Sequence, residues 1–217
     1  MPVRMRRASN VRALFALRRL MRERAVDLVH THSSIDSWIA GVAARTLGLP
    51  IVRSRHVTIP IKSALVYRLA DRIVASGREA AAVVGRAGIA AEKIVALSPG
   101  VDLTRFHPAV DGATVREELW ASDGIPLVGL VANVRGSKGH RYLLEAAPAV
   151  LREFPVTRFV IVGAGVGFDD VRRRVRELDL ERQVLMLGFR RDIPEVLAAL
   201  DVLVLPSIKS EGASQVI

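Results

Sequence analysis

Apolar and polar positions alternate between two kinds of pattern along the chain. Short apolar runs of strand length are separated by longer stretches in which apolar residues recur every three or four positions, as on one face of a helix. The runs predicted as strands are residues 26–30, 50–55, 72–75, 93–97, 126–131, 157–162, 183–187 and 201–205. The helices predicted between them span residues 35–47, 61–69, 77–87, 139–154, 168–178 and 192–200. This alternation predicts βαβ units with parallel sheets in an α/β fold.

The alternation breaks between residues 99 and 125, where proline, glycine and aspartate surround a short polar helical pattern. We interpret this stretch as a linker and place one domain at residues 1–110 and a second at residues 111–217. Within the second domain, Pro148 lies in the middle of a predicted helix. Because proline removes a backbone N–H, a kink or a shifted start is expected there.

Composition limits the class of protein. The chain has 217 residues, of which 50% are hydrophobic, and this is enough to bury a sizeable core. Its apolar runs are shorter than the roughly 18 residues of a membrane span. Cysteine is absent, which excludes disulfides and thiolate metal sites and fits a reducing compartment. We therefore expect a cytoplasmic protein.

Positive charge is concentrated at one end. The formal net charge is +10, and residues 1–24 contain eight arginines against the single acid Glu23. Three interpretations stay open: the solvated face of an amphipathic helix, contact with an anionic membrane at the inner face of the plasma membrane, and nucleic-acid binding. Aromatic residues are few and no nucleic-acid motif is present, so nucleic acid is not expected as a partner.

Two polar clusters follow predicted strands, at residues 131–140 and 206–212. Because the carboxyl ends of parallel strands meet at one edge of a sheet, both clusters should lie where open α/β sheets bind ligands. A phosphate could lie against Arg135, Lys138 and the amino terminus of the helix that follows. Glu211 could then bind hydroxyl groups of whatever the phosphate carries. The sequence thus predicts a nucleotide-sugar site.

Several short motifs recur in a recognisable order. They are residues 26–32 (VDLVHTH), 98–102 (SPGVD), 138–140 (KGH), 162–165 (VGAG) and 206–212 (PSIKSEG). In this order and at these intervals, they resemble the retaining glycosyltransferases of the two-domain GT-B type, in the large group 1 family often called family 4. The resemblance covers nearly the whole chain.

The resemblance implies two Rossmann-like domains that face a cleft, with residues 1–110 on the acceptor side and residues 111–217 binding the nucleotide sugar. It implies transfer of a sugar, with retention, from a nucleoside diphosphate to a glycan or lipid-linked acceptor. The sequence around residues 132–140 resembles that of bacterial members that build lipopolysaccharide or other envelope glycans. No cofactor or metal is implied.

The resemblance also assigns site residues. His32 and Glu211 would be catalytic, while Asn133, Arg135, Lys138, Gly139, Gly163, Gly165 and Gly212 would bind substrate. Asn133 stands where the family usually has arginine, so Arg135 would reach the diphosphate instead. Plainer interpretations remain: a structural histidine at His32, a surface acid at Glu211, and turn geometry at the two glycines after residue 162. A metal site at His30 and His32 lacks an evident third ligand, and His30 is expected to point away from the surroundings of His32.

Parts of the family pattern are absent from the sequence. Family members normally begin with a strand and a glycine-rich loop, which nothing before Val26 supplies. A second acid normally follows the one matching Glu211 by eight residues, beyond Ile217. We therefore expect a fragment in which both domains are incomplete. The alternative to an active enzyme is a truncated, non-catalytic remnant or an interaction module with a basic membrane-surface face.

Overall fold

The computed structural model describes residues 11–121, 124–208 and 214–216, which form two compact α/β units. Residues 11–99 form the first unit, together with residues 214 and 215, and the remaining described residues form the second. Each unit contains a four-stranded sheet in which all paired strands are parallel. The predicted α/β class is confirmed.

The first unit is a simple series of β-α-β steps, with the strands in chain order β1-β2-β3-β4. Its elements are α1 (Val11–Glu23), β1 (Val29–Thr31), α2 (Ser34–Arg45), β2 (Ile51–Arg55), α3 (Leu65–Arg68), β3 (Arg72–Ala75), α4 (Arg78–Arg86) and β4 (Ile94–Ala96). Helices α1 to α4 pack in one cluster with Val29, Ile51 and Ile73, which lie on a single face of the sheet. The opposite face carries exposed apolar side chains such as Val95.

Helix α1 accounts for most of the apolar pattern in the basic segment. Ala13 and Met21 are buried, and α1 packs along α2. Val11 and Phe15 stay exposed on the outer side. No described helix is long and apolar enough to cross a membrane. The amphipathic-helix interpretation is therefore confirmed for residues 11–23.

The second unit has helices on both faces of a sheet with the order β7-β6-β5-β8. Its elements are α5 (Ala113–Glu118), β5 (Leu127–Val131), α6 (His140–Glu153), β6 (Arg158–Val162), α7 (Phe168–Glu177), β7 (Val184–Gly188), α8 (Ile193–Ala199) and β8 (Val202–Leu203). Helices α5 and α8 cover one face and α6 and α7 the other, each in its own apolar cluster. Strand β5 is central, between β6 and β8.

Most predicted elements agree with the structure to within a few residues, but the first strand was placed too early. The chain still completes the end of α1 at Val26, whose N–H bonds to the Met21 carbonyl at 3.0 Å after a left-handed residue at Ala25. Strand β1 therefore begins at Val29. Helix α6 continues through Pro148, although this residue cannot donate to the helix.

Asp201 and Arg116 form a polar cluster, here called a clasp, at the amino ends of the strands in the second sheet. Asp201, just before β8, accepts a 2.7 Å hydrogen bond from the Leu127 N–H at the start of β5 and another, at 3.2 Å, from Arg116. The same guanidinium donates to the carbonyl of Ala199 at 2.7 Å. Asp201 and Arg116 together therefore hold the start of β5 next to β8 and to the end of α8.

The equivalent clasp in the first unit uses Asp71 and Arg45. Asp71 precedes β3 and accepts hydrogen bonds from the Ile51 N–H at 2.8 Å and from Arg45 at 2.7 Å. Arg45 also donates to the carbonyl of Leu69 at 2.6 Å. In both units the acid stands two residues after the carbonyl that the arginine binds. The same arrangement of an acid, an arginine and their backbone partners thus occurs in both units, although the sequences there are not repeats.

The Asp201 clasp should make stability depend on pH. The hydrogen bond from Leu127, and after it that from Arg116, lowers the pKa of Asp201 below its ordinary value of 3.8, although burial opposes the shift. Because the folded pKa is depressed, the added stability is present above the ordinary value and is lost as pH falls through the folded one. We expect Asp201→Asn to lower the urea midpoint at pH 7 and to reduce the further loss on acidification. Asp27→Asn, at an exposed position, should change neither.

The one-sided packing of the first unit gives a second prediction. Ile73 is 0% exposed within the cluster, so Ile73→Ala should lower the free energy of unfolding by about 2–5 kcal/mol. Val95 lies on the opposite face at 47% exposure, and Val95→Ala should change it by about 0.5 kcal/mol or less. Urea unfolding followed by circular dichroism measures both. Equal losses would show that the face carrying Val95 is covered in solution.

Candidate functional site

The two polar segments of the second unit meet beside the carboxyl ends of β5 and β8. A side chain at Gly139 would place its Cβ 1.9 Å from the carbonyl oxygen of Pro206, and Gly139 has a left-handed φ of 74°. The N–H of Ile208 donates to the carbonyl of Ser137 at 3.2 Å. Only glycine allows this approach. The structure thus brings residues 132–140 and 206–208 together, as the strand pattern predicts.

The loop after β6 packs against the same segment. A Cβ at Gly163 would lie 1.9 Å from the Ala132 oxygen, and one at Gly165 would lie 2.4 Å from the Val134 oxygen. The backbone of Val134 is bound on both sides, because its N–H donates to Ala164 and its carbonyl accepts from Gly167, each at 3.0 Å. Turn geometry and close backbone packing therefore account for both glycines of the sequence motif.

The cationic side chains lie just before α6. Residues 136–138 form a short 3₁₀ turn between Arg135, which is exposed, and Gly139, which caps the helix. Lys138 is half-buried. Helix α6 has 14 residues and no acid in its first turn, so its amino terminus adds a partial positive charge beside these two cations. This edge of the sheet suits an anion.

His140, the first residue of α6, is only 3% exposed. Burial, and secondarily the charge of Lys138, lowers its pKa below the ordinary value of 6.5. Neither ring nitrogen has a hydrogen-bond partner among the described residues. The imidazole is therefore neutral at physiological pH and adds no charge to the anion-binding edge.

A cavity of about 590 Å³ opens between the loops after β5, β6 and β7. Asn133, Gly163 and Gly165 line it. So do three kinds of residue that the sequence alone did not single out: an aromatic, a cation and apolar residues. These are Phe189, Arg190, Ile193 and Val216. Phe189 and Arg190 directly follow β7, so the rule that ligands bind at the carboxyl ends of strands could have found them.

Arg190 in the cavity wall is held by two carboxylates. It lies 2.6 Å from Glu118 and 2.5 Å from Asp192. The hydrogen bond to Asp192, followed by that to Glu118, raises the pKa of Arg190 above its ordinary value. Its charge is therefore compensated within the protein. Arg190 shapes the wall, whereas Arg135 and Lys138 stand closer in sequence to the helix terminus.

A second cavity, of about 470 Å³, lies on the side of β8 where α6 packs. Its described wall is built from apolar and aromatic side chains such as Val128, Tyr142, Leu143 and Phe159, and none of the described lining residues is charged. A charged ligand would lose its hydration there without compensation. The cavity lined by Asn133 and Arg190 is therefore the better candidate for a phosphate-bearing ligand.

In the first unit, His32 follows β1 directly. Its backbone N–H donates to Asp36 at 3.0 Å, and the N–H of Ser33 donates to the same carboxylate at 2.7 Å. Ser33 and Asp36 form a capping box at the start of α2. Ser37 binds the Ser33 carbonyl at 2.5 Å. The loop that carries His32 is thus fixed by the helix that follows it.

Three imidazoles cluster around this loop. Nδ1 of His32 lies 3.2 Å from Nε2 of His56, and Nε2 of His30 lies 2.8 Å from the Ser54 hydroxyl. The rings of His30 and His32 are 4.3 Å apart between centroids. The expectation that His30 points away from His32 is wrong, because residues two apart on an extended chain share a face. Among the described residues, no group of histidines and acids is arranged to hold a metal ion.

Two predicted site residues, Glu211 and Gly212, lie outside the described residues. The structure brings Asn133, Gly139, Gly163 and Gly165 together around the loops of the second unit, with Arg135 and Lys138 in the same segment. His32 belongs to the first unit, where His30 and His56 are its neighbours.

Two family models match most of the chain between them. Residues 1–105 match the model described as Glycosyltransferase Family 4, and residues 125–217 match that described as Glycosyl transferases group 1. The chain belongs to these glycosyltransferases. The fold is the GT-B type, with its two Rossmann-like units. The family and the fold predicted from the motifs are confirmed.

Two curated relatives and one solved structure illustrate the similarity. The UDP-Gal:alpha-D-GlcNAc-diphosphoundecaprenol alpha-1,3-galactosyltransferase of Escherichia coli is 28% identical over 92% of this chain and 56% of its own length. The D-inositol 3-phosphate glycosyltransferase of Kineococcus radiotolerans is 29% identical over 85% of this chain and 49% of its own. The crystal structure of Anabaena Alr3699/HepE in complex with UDP superposes with a TM-score of 0.81 at 22% identity, over 95% of this chain and 59% of that one. The chain spans about half the length of the curated relatives it matches.

The close backbone contacts at the loop junction can be tested with matched glycine substitutions. Gly139→Ala should lower the free energy of unfolding by about 1–3 kcal/mol, because the new methyl group overlaps the Pro206 carbonyl. Gly136→Ala, two residues from Lys138, meets nothing within 4 Å and should be neutral or slightly stabilising. Thermal and urea unfolding distinguish the two. A neutral Gly139→Ala would mean that residues 132–140 and 206–208 do not touch.

Proposed function

We propose that the protein is a glycosyltransferase that transfers a sugar, with retention, from a nucleoside diphosphate to an envelope glycan or a lipid-linked acceptor. The observation that carries the proposal is the junction of residues 132–140 with residues 206–208 at the amino terminus of α6, where cations and helix N–H groups collect. Family membership supports the same chemistry. Because the chain spans about half the length of its relatives, the activity and its substrates are stated as proposals.

In this proposal, Lys138 and Arg135 hold the diphosphate against the start of α6. When the bond between sugar and phosphate breaks, negative charge grows on the departing phosphate. Fixed cations and helix N–H groups stabilise that charge without reorganising. The role falls to the chain's own cations, so we propose that no metal or other cofactor is required.

The nucleoside would occupy the cavity beside the loop after β6. Gly163 and Gly165 leave the cavity wall without side chains there, and Phe189 offers an exposed ring on which a base can stack. The likeness to HepE, whose crystal structure contains UDP, supports a nucleotide as the ligand. The donor's base and sugar are not assigned.

We propose His32 and Glu211 as the catalytic residues, as the family resemblance implies. His32 stands in a loop fixed by Asp36 and can bind a hydroxyl or phosphate oxygen. Glu211 would hold donor-sugar hydroxyls, with Gly212 beside it. Neither residue is proposed as a covalent nucleophile. As in the family that the sequence resembles, the departing phosphate would assist deprotonation of the acceptor, which gives retention.

An acceptor linked to a lipid would bring the protein to a membrane surface. The E. coli relative is named for a diphosphoundecaprenol substrate, and a solved structure with a TM-score of 0.67 is the lipopolysaccharide outer core galactosyltransferase WaaB. Val11 and Phe15 are exposed on α1 beside Arg12 and Arg19. We propose a cytoplasmic protein whose basic end contacts the inner face of the plasma membrane.

Nucleotide binding by the 217-residue chain tests the donor site. Isothermal titration with UDP, GDP and ADP should show one nucleotide that binds, and Lys138→Ala should weaken it about 10- to 100-fold through loss of a charge-assisted hydrogen bond. Arg152→Ala, at the far end of α6, should bind normally.

The outcomes separate the alternatives. Equal affinity in Lys138→Ala and the parent would contradict the site while leaving the family assignment intact. A chain that is folded by circular dichroism but binds none of the three nucleotides would favour the non-catalytic interaction module. Binding that weakens as salt rises would support a phosphate contact, since exposed electrostatic contacts are screened.

A further inference from the structure

His32 follows β1 and His56 follows β2, and their ring nitrogens lie within hydrogen-bonding distance of each other. Nδ1 of His32 is 3.2 Å from Nε2 of His56. The two rings are nearly parallel, with 9° between their planes and 5.5 Å between their centroids. A hydrogen bond between ring nitrogens runs in the plane of each ring, so this separation and orientation are compatible with an edge-to-edge bond.

A hydrogen bond between two ring nitrogens needs one proton on one of them. A neutral imidazole has one N–H donor and one bare acceptor nitrogen. If His32 donates from Nδ1, its Nε2 is left bare and can accept. If His56 donates from Nε2, His32 must carry its own proton on Nε2 and can donate from there. The direction of this single bond therefore decides what His32 can do for a ligand.

Intrinsic tautomer preference chooses between the two arrangements. A neutral histidine side chain carries its proton mainly on Nε2 in water. When His56 is the donor, both rings have that preferred tautomer; when His32 is the donor, both have the less favourable one. We propose that His56 is a positioning residue, whose Nε2–H donates to Nδ1 of His32 and leaves Nε2–H of His32 as the group that meets the substrate.

The third histidine of the cluster, His30, lies next to this pair. His30 is hydrogen-bonded to Ser54, and its ring centroid lies 4.3 Å from that of His32, with 37° between the ring planes. Burial, and then the neighbouring His32 and His56, lowers the pKa of His30, while Asp36 acts in the opposite sense. His30 is therefore neutral near pH 7 and adds no charge beside the hydrogen-bonded pair.

The consequence for chemistry rests on the function proposed above. With Nε2 protonated, His32 donates a hydrogen bond to an oxygen of the donor sugar or its phosphate. It has no bare nitrogen left with which to remove a proton from the acceptor. His32 would therefore orient the donor, and the acceptor's proton would leave by another route, such as the departing phosphate.

Nuclear magnetic resonance of the chain with ¹⁵N-labelled histidine tests the pair directly. At neutral pH we expect His32 to show a protonated Nε2 and a bare, hydrogen-bonded Nδ1, with a scalar coupling across the bond to Nε2 of His56. In His56→Phe the coupling should vanish and the Nδ1 signal should move to the position of a free acceptor. His56→Gln, whose amide can donate from a similar place, should restore the hydrogen-bonded shift.

His30→Asn serves as the control, because it alters the neighbouring ring and leaves the His32–His56 bond in place. The coupling should persist there. A proton on Nδ1 of His32, or a His32 spectrum unchanged in His56→Phe with the backbone spectrum still folded, would overturn the proposal. The spectra need no nucleotide. Failure of nucleotide binding with an intact coupling would therefore overturn the proposed function alone.

Discussion

Close backbone approach at one edge of the second sheet is the constraint on which its polar site depends. Parallel strands deliver their following loops to the same edge, but loops that carry side chains would hold each other apart. Gly139, Gly163 and Gly165 remove that obstacle, and each would overlap a neighbouring carbonyl oxygen if it gained a Cβ. Because the loops interlock through backbone, the cations before α6 are held on a rigid support.

The first unit reaches a comparable rigidity by different means. There the capping box of α2 binds the backbone of His32 and Ser33 through Asp36, and ring contacts to His30 and His56 orient the side chain. Its sheet is covered by helices on one face, whereas parallel sheets are usually buried on both. The exposed apolar side chains opposite the helices, such as Val95, are the structural cost of that arrangement.

Sequence patterns predicted strand and helix existence well because apolar runs and helical periods are local signals. They failed where a local pattern competes with a turn, as at Val26, whose N–H completes the end of α1 instead of joining β1. They also predicted the wrong direction for His30, because residues two apart on an extended chain share a face. Contacts between distant residues, such as His32 with His56 and Arg190 with Glu118, have no local signal and required the fold. Glu211 is outside the described residues.

In both sheets, the polar groups at the amino ends of the strands have a different role from those at the carboxyl ends. At the amino ends, Asp71 pairs with Arg45 and Asp201 pairs with Arg116, and each pair also hydrogen-bonds backbone groups. These charged side chains therefore hold the strands in register. At the carboxyl ends, imidazoles follow the strands of the first unit, and cations beside the amino terminus of α6 follow those of the second, where Arg190 is also held by two carboxylates. Fixed donors and cations stabilise the charge of a ligand without reorganising. The amino ends therefore carry ion pairs that hold each sheet together, and the carboxyl ends carry the groups proposed to bind a ligand.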